Sequence, residues 1–209
     1  EWVVATATSL GADPIVVVVG HGHEQVRETL KDSGVQFALQ SEQLGTAHAV
    51  EQTRPLLETF PGDILVLSGD VPAITAASLR KLWNRHRTTG AVATMLTGLV
   101  DDPSGYGRVV KDKRGHLLWV VEHKDANKRE RAIREINSGI YIFDSTALFR
   151  ALSKVDRQNK QSEYYLPDVL YILREQNLIV TVEKADNPKE ILGVNTPKEL
   201  RRLDAEFNI

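Results

Sequence analysis

Apolar residues in this chain fall into short unbroken runs separated by helix-periodic stretches. Ile15–Val19 is an all-apolar, β-branched run, the pattern of a parallel strand buried on both faces. Asp63-Ile-Leu-Val-Leu-Ser68 repeats that pattern. Between and around them the spacing predicts helices over 2–10, ended by Gly11, and over 24–30, 47–57 and 76–86, the last capped by Thr75. A short strand is predicted at 36–39. Strand and helix alternate at βαβ spacing, which calls for a parallel sheet covered by helices. The texture changes after Gly90. Strands are predicted at 91–99 and 107–111, and Arg114-Gly115 turns the chain into 117–122 as a hairpin. A charged stretch, 123–135, reads as an exposed loop or short helix before a strand at 136–143. Helices at 145–153 and 164–176, a strand at 178–182 and the apolar Ile191–Val194 follow. Thr196-Pro-Lys-Glu then forms a capping box with Pro at the first helical position. The expectation is one α/β domain over residues 1–209, with a mixed, mainly parallel sheet and a β-rich inserted lobe.

Composition narrows the classes. The 209 residues are long enough to bury a substantial core, and 42% hydrophobic with 26% charged residues is ordinary for a soluble globular protein. A net charge of -2 supplies no basic field for nucleic acid or anionic lipid, so neither is expected as a partner. Arg80, Lys81, Arg85 and Arg87 read as the solvated face of one helix. No apolar run approaches membrane-spanning length, and no secretion signal is visible, so the cytoplasm is the expected compartment. Without cysteine there is no disulfide, thiolate nucleophile or Cys-ligated zinc. The sequence opens on Glu1 in what reads as the middle of a helix, the pattern expected of an N-terminally truncated domain.

Asp70 sits just past the carboxyl end of an apolar strand, where open α/β sheets bind ligands. A lone carboxylate there suits magnesium, which takes one or two protein ligands plus water and phosphate oxygens. Asn195 holds the same relative place after Ile191–Val194; an Asx turn or a cap would use either residue equally well. Gln40 to Thr46 has the makings of a base-reading loop: Gln offers a donor and an acceptor side by side, and Gly45 lets backbone approach a ring closely. A plain strand-to-helix connection explains the same residues. Gly20-His-Gly-His lacks both the dinucleotide fingerprint and a P-loop lysine, and His21, His23 and His48 lack zinc spacing. Gly105-Tyr-Gly-Arg108 reads as a tight turn entering a strand. Glu122, Asn137 and Tyr165 lie near element ends, where they can serve a sugar or simply cap.

Taken in order, seven segments resemble one family: Gln40-Ser-Glu-Gln-Leu-Gly-Thr-Ala-His-Ala, Ser68-Gly-Asp-Val-Pro, Gly105-Tyr-Gly-Arg, Val121-Glu-His-Lys-Asp-Ala, Glu135-Ile-Asn-Ser-Gly, Glu163-Tyr-Tyr-Leu-Pro-Asp and Gly193-Val-Asn. The family is the N-acetylglucosamine-1-phosphate uridylyltransferases, the pyrophosphorylase half of a bifunctional bacterial enzyme whose other half is a glucosamine-1-phosphate acetyltransferase. The resemblance runs from about residue 11 to residue 203 and implies a Rossmann-like nucleotidyltransferase fold. It also implies uridylyl transfer from UTP to N-acetylglucosamine 1-phosphate, giving UDP-N-acetylglucosamine for cell-envelope synthesis (peptidoglycan and lipopolysaccharide). By position it assigns Gln40, Gly45 and Thr46 to the nucleotide, and Gly107, Glu122, Asn137 and Tyr165 to the sugar. Asp70 and Asn195 are assigned to Mg2+ as the catalytic pair. The family's full-length protein is a homotrimer built largely through its β-helix, which implies a monomer for this domain alone.

The sequence departs from the family in three respects. The family's opening Gly-rich loop, Leu-x-x-Gly-x-Gly-x-Arg-Met followed by Pro-Lys, is not among these residues, and neither is its acetyltransferase β-helix. Ser68 stands where Tyr is common, and Pro167 where Thr can occur. Two alternatives stay open at this level: a pyrophosphorylase for another sugar 1-phosphate, and a non-catalytic nucleotide-sugar-binding domain.

Overall fold

The computed structural model describes residues 1–207. Helix α1 (Trp2–Ser9) is ended by Gly11 in the left-handed region at φ +75°. Strand β1 (Val16–Val19), helix α2 (His23–Thr29) and strand β2 (Gln36–Leu39) follow, and β1 and β2 pair in parallel as a two-stranded sheet. The helix expected over 47–57 is two pieces, α3 (Thr46–Glu51) and α4 (Arg54–Leu57). Pro55 explains the break: it has no N–H for the Glu51 carbonyl, and its ring crowds that turn.

The larger sheet comprises β3 (Asp63–Val66), β4 (Ala93–Leu99), the hairpin β5 (Arg108–Lys111) and β6 (Leu117–Val121), β7 (Glu135–Asp144) and β8 (Val180–Lys184). Its order is β6-β5-β7-β4-β8, with β3 also on β7. Strands β4 and β8 are parallel, and β3 runs with them because β3 and β4 are both antiparallel to β7. Every antiparallel pairing involves β7 or the hairpin, so the mixed sheet with a β-rich lobe is the architecture observed. Helix α5 (Ala76–Thr89) starts on Thr75, whose Oγ1 accepts the Ser78 N–H at 3.2 Å. The charged stretch contains the short helix α6 (Lys128–Arg131), opened by a capping box of Asn127 and Glu130. Helices α7 (Ser145–Leu152) and α8 (Asp168–Glu175) pack on the sheet through buried Leu148, Phe149, Val169 and Leu170. The predicted apolar run at Ile191–Val194 is not a strand: a 3-10 turn (Pro188–Ile191) leads into an irregular stretch before α9 (Pro197–Phe207). The Thr196 box is present, with the Glu199 carboxylate accepting from the Asn195 and Thr196 N–H groups at 2.8 and 3.0 Å.

Strand β7 makes room for a site. One edge pairs with β3 over Tyr141–Asp144 and with β5 only at Ile136, so residues 137–140 have no strand partner there. On the other edge Ser138, Gly139 and Ile140 oppose the single Leu96 of β4, a bulge. Ser138 repairs it by donating to the Leu96 carbonyl (2.7 Å) and accepting from the Ile140 N–H (3.1 Å). Gly139, at φ +75°, supplies the turn of the bulge. A cavity of about 600 Å³ opens beside it. One half is apolar, lined by Val16–Val18 of β1 and Ile64 and Val66 of β3. Consequently Val16–Val18 are only half-buried, where the all-valine run had promised burial on both faces.

Candidate functional site

The polar half of the cavity is lined by Thr46, Ser68, Gly69, Glu122, Asn137 and Gly139. Two groups of residues reach its wall and a third begins at Asp70, next to the lining Gly69; each contains residues singled out by the sequence.

The first is the loop before α3. Gln40 is buried, and its Nε2 donates to the Gly45 carbonyl at 3.1 Å and lies 3.0 Å from His48 Nδ1. Gly45 sits at φ +113° and ψ 177°, a conformation essentially confined to glycine. The loop is seated against residues 164–166: Tyr164 N–H donates to the Leu44 carbonyl (2.8 Å), Ala47 N–H to the Tyr164 carbonyl (2.9 Å), and Leu166 N–H to Thr46 Oγ1 (2.9 Å). Gln40, Gly45 and Thr46 are thus brought together, with Thr46 reaching the cavity wall.

The second group lies at the root of the hairpin. The Asn137 N–H donates to the Gly107 carbonyl at 2.9 Å, and Asn137 Oδ1 accepts from the Gly139 N–H (3.0 Å) and the Tyr141 hydroxyl (2.9 Å). Glu122 lies over Gly107 so closely that a Cβ there would be 2.9 Å from its Oε1. No hydrogen bond engages the Glu122 carboxylate among the described residues. Burial, reinforced by the charges of Asp168, Asp125 and Glu163, pushes its pKa up to about 7, while Arg108 pulls more weakly the other way. Burial likewise lifts Asp168 to about 6. Tyr165 belongs to the same neighbourhood, but its ring is buried and its hydroxyl is engaged, donating to Asp125 Oδ2 (3.1 Å) and accepting from Gln161 Nε2 (2.7 Å). Asp125, expected on a solvated face, is therefore part of this polar cluster.

The raised Glu122 pKa has a measurable consequence. The folded protein binds this proton between about pH 4.5 and 7 where the unfolded chain has released it, so stability falls as pH rises through that window and levels off above it. Glu122→Gln removes the titration. Urea unfolding should show the variant gaining on the parent by about 2 kcal/mol between pH 5 and pH 8. An identical difference at both pH values contradicts the assignment.

The third group surrounds Asp70. Its carboxylate is exposed and has no hydrogen-bond or ion-pair partner among the described residues. The carbonyl of Asp70 accepts the Val194 N–H at 2.8 Å, and a Cβ on Gly193 would lie 3.0 Å from Asp70 Oδ2. That brings Asn195, also exposed, to the same edge of the site. An exposed carboxylate with no protein partner among the described residues, and Asn195 next to the Val194 whose N–H the Asp70 carbonyl accepts, fits a hard cation that keeps most of its water shell. No group of three or more His, Asp or Glu side chains that could hold a metal occurs among the described residues. Tyr106, which the sequence presented only as part of a turn, joins this group: its hydroxyl oxygen accepts the Gly193 N–H at 3.1 Å. Burial and the charges of Asp70 and Glu199 push its pKa up, keeping the phenol neutral.

Residues 3–187 match the nucleotidyl transferase family. The chain belongs to that family. Among curated nucleotidyl transferase relatives it is 50% identical, over 195 residues, to the bifunctional protein GlmU of Bacillus cereus (strain AH187) and to that of Bacillus anthracis (strain CDC 684 / NRRL 3495). Each alignment covers 93% of this chain and 42% of the relative, so the chain spans less than half the length of those proteins. Its fold is similar to that of a UDP-glucose pyrophosphorylase solved with UDP-glucose: TM-score 0.64 at 16% identity, covering 86% of this chain and 76% of the other. The Rossmann-like nucleotidyltransferase fold implied by the motifs is the fold observed. No helix among the described residues is long and apolar enough to cross a membrane.

Proposed function

We propose that the cleft transfers a uridylyl group from UTP to N-acetylglucosamine 1-phosphate, producing UDP-N-acetylglucosamine and pyrophosphate for cell-envelope synthesis. The observation that supports this reading is one cavity lined by Thr46, Gly69, Glu122 and Asn137, with Gly107 against Glu122 and Asp70 following Gly69, in a chain 50% identical to GlmU over 195 residues. Glu122 would accept hydrogen bonds from sugar hydroxyls, its carboxylate having no hydrogen-bond partner among the described residues. Asn137 is held rigid through Oδ1, which leaves its amide N–H groups to donate. Gln40, Gly45 and Thr46 would hold uracil and ribose, their loop already locked against residues 164–166.

The chemistry needs alignment and charge neutralisation rather than a covalent protein intermediate. Asp70 and Asn195 would hold Mg2+, which supplies charge stabilisation to the α-phosphate and the sugar phosphate. The protein's own part is to fix the sugar phosphate oxygen in line with the α-phosphorus through the sugar pocket and the nucleotide loop. In keeping with the family, the working assembly of the full-length protein is proposed to be a homotrimer in the cytoplasm.

Titration calorimetry of this chain with UDP-N-acetylglucosamine and with UDP-glucose, both in Mg2+, tests the sugar assignment. The acetylated sugar should bind about tenfold more tightly. Equal affinities would remove the assignment. Tight binding by a full-length protein that releases no pyrophosphate from UTP would make the domain a binding module instead.

A further inference from the structure

The stretch Leu192–Asn195 pairs with no strand, yet it carries one of the two residues assigned to the cation. Two successive amides fix it. Val194 N–H donates to the Asp70 carbonyl at 2.8 Å, and Gly193 N–H donates to the Tyr106 hydroxyl at 3.1 Å. The phenol reaches across from the loop that enters the hairpin, and that loop is itself strapped down. Arg108, 1% exposed and without a carboxylate partner among the described residues, donates through Nη1 to the Tyr106 carbonyl. Its Nη2 meets His123 Nδ1 at 3.2 Å, and the same nitrogen accepts the Gly105 N–H at 3.2 Å. The ring of Tyr106 packs on the core cluster that includes Ile74, Leu96 and Ile191. Ring and strap together hold the phenol oxygen where it accepts the Gly193 N–H.

We propose that Tyr106 is a positioning residue, setting the distance between Asn195 and Asp70 from the sugar-binding lobe. The proposal rests on the magnesium reading above for its purpose, though not for its geometry. It makes the hairpin loop a common support for both halves of the site, because Gly107 beside Glu122 and Tyr106 beside Gly193 are adjacent in the chain.

Tyr106→Phe deletes one oxygen and keeps the ring, so the core packing survives. Two NMR readouts on the chain separate the possibilities. Amide hydrogen exchange without metal should be about tenfold faster at Gly193 in the variant, with the β7 amides unchanged. Mn2+ titration, followed by paramagnetic broadening of the amides of residues 69–71 and 193–196, should give a midpoint about fivefold weaker than in the parent. Asp70→Asn should abolish that broadening; if it does not, the metal reading fails, while exchange at Gly193 still decides the tether. Unchanged exchange at Gly193, or an unchanged Mn2+ midpoint where Asp70→Asn abolishes the broadening, overturns the proposal.

Discussion

Gly45→Ala is expected to lower the free energy of unfolding by about 3 kcal/mol and to detach the nucleotide loop. Two costs coincide. At φ +113° and ψ 177° an alanine is strained by about 1–3 kcal/mol wherever it sits. Its Cβ would also lie 2.5 Å from the Tyr164 carbonyl oxygen and 2.7 Å from the Tyr164 nitrogen. Neither atom can yield cheaply, since the carbonyl accepts from Ala47 and the N–H donates to Leu44. Relief comes only by lifting the loop off residues 164–166, which also frees Gln40 from the Gly45 carbonyl. Urea unfolding measures the loss, and calorimetry with UDP-N-acetylglucosamine should show binding weakened at least as much. A loss below about 1 kcal/mol would mean that the loop is softer than its hydrogen bonds imply.

Asp70→Asn is the opposite kind of change, with a large effect on activity and almost none on stability. The carboxylate touches no partner among the described residues, so its removal leaves no buried group unsatisfied and the melting temperature should move by less than about 2 °C. The amide is nearly isosteric, yet it brings no charge to a site where charge neutralisation is the main catalytic demand. On the proposed reaction, kcat/KM for pyrophosphate release should fall by about a thousandfold, equivalent to several kcal/mol of transition-state stabilisation. Activity within fivefold of the parent would remove Asp70 from the catalytic role.

Much of this was legible because the signals were local. The Arg114-Gly115 turn, the Thr75 cap and the Thr196 box each follow from a few neighbouring residues, and all three are present. The candidate site residues came from ordered motifs, and three of them, Thr46, Glu122 and Asn137, line one cavity. What escaped the sequence depends on distant partners. The half-exposure of Val16–Val18 comes from the cavity between β1 and β3, not from the valines themselves. The β7 bulge needs Leu96, some 40 residues away in the chain, to define it. The run Ile191–Val194 has strand composition but spends its N–H groups on Tyr106 and Asp70 instead of a ladder. Tyr106 was hidden for the same reason: its partner lies 87 residues on, and a Gly-Tyr-Gly turn gives no hint of it.

The choice of sugar is the central property of the proposed site. Initial rates of pyrophosphate release by the full-length gene product, with UTP, Mg2+ and either N-acetylglucosamine 1-phosphate or glucose 1-phosphate, test it in one experiment. The acetylated substrate should be preferred by about a hundredfold in kcat/KM, because Asn137 would pair with the acetamido group, which glucose 1-phosphate replaces with a hydroxyl. Equal rates, or a preference for glucose 1-phosphate, would contradict the assignment.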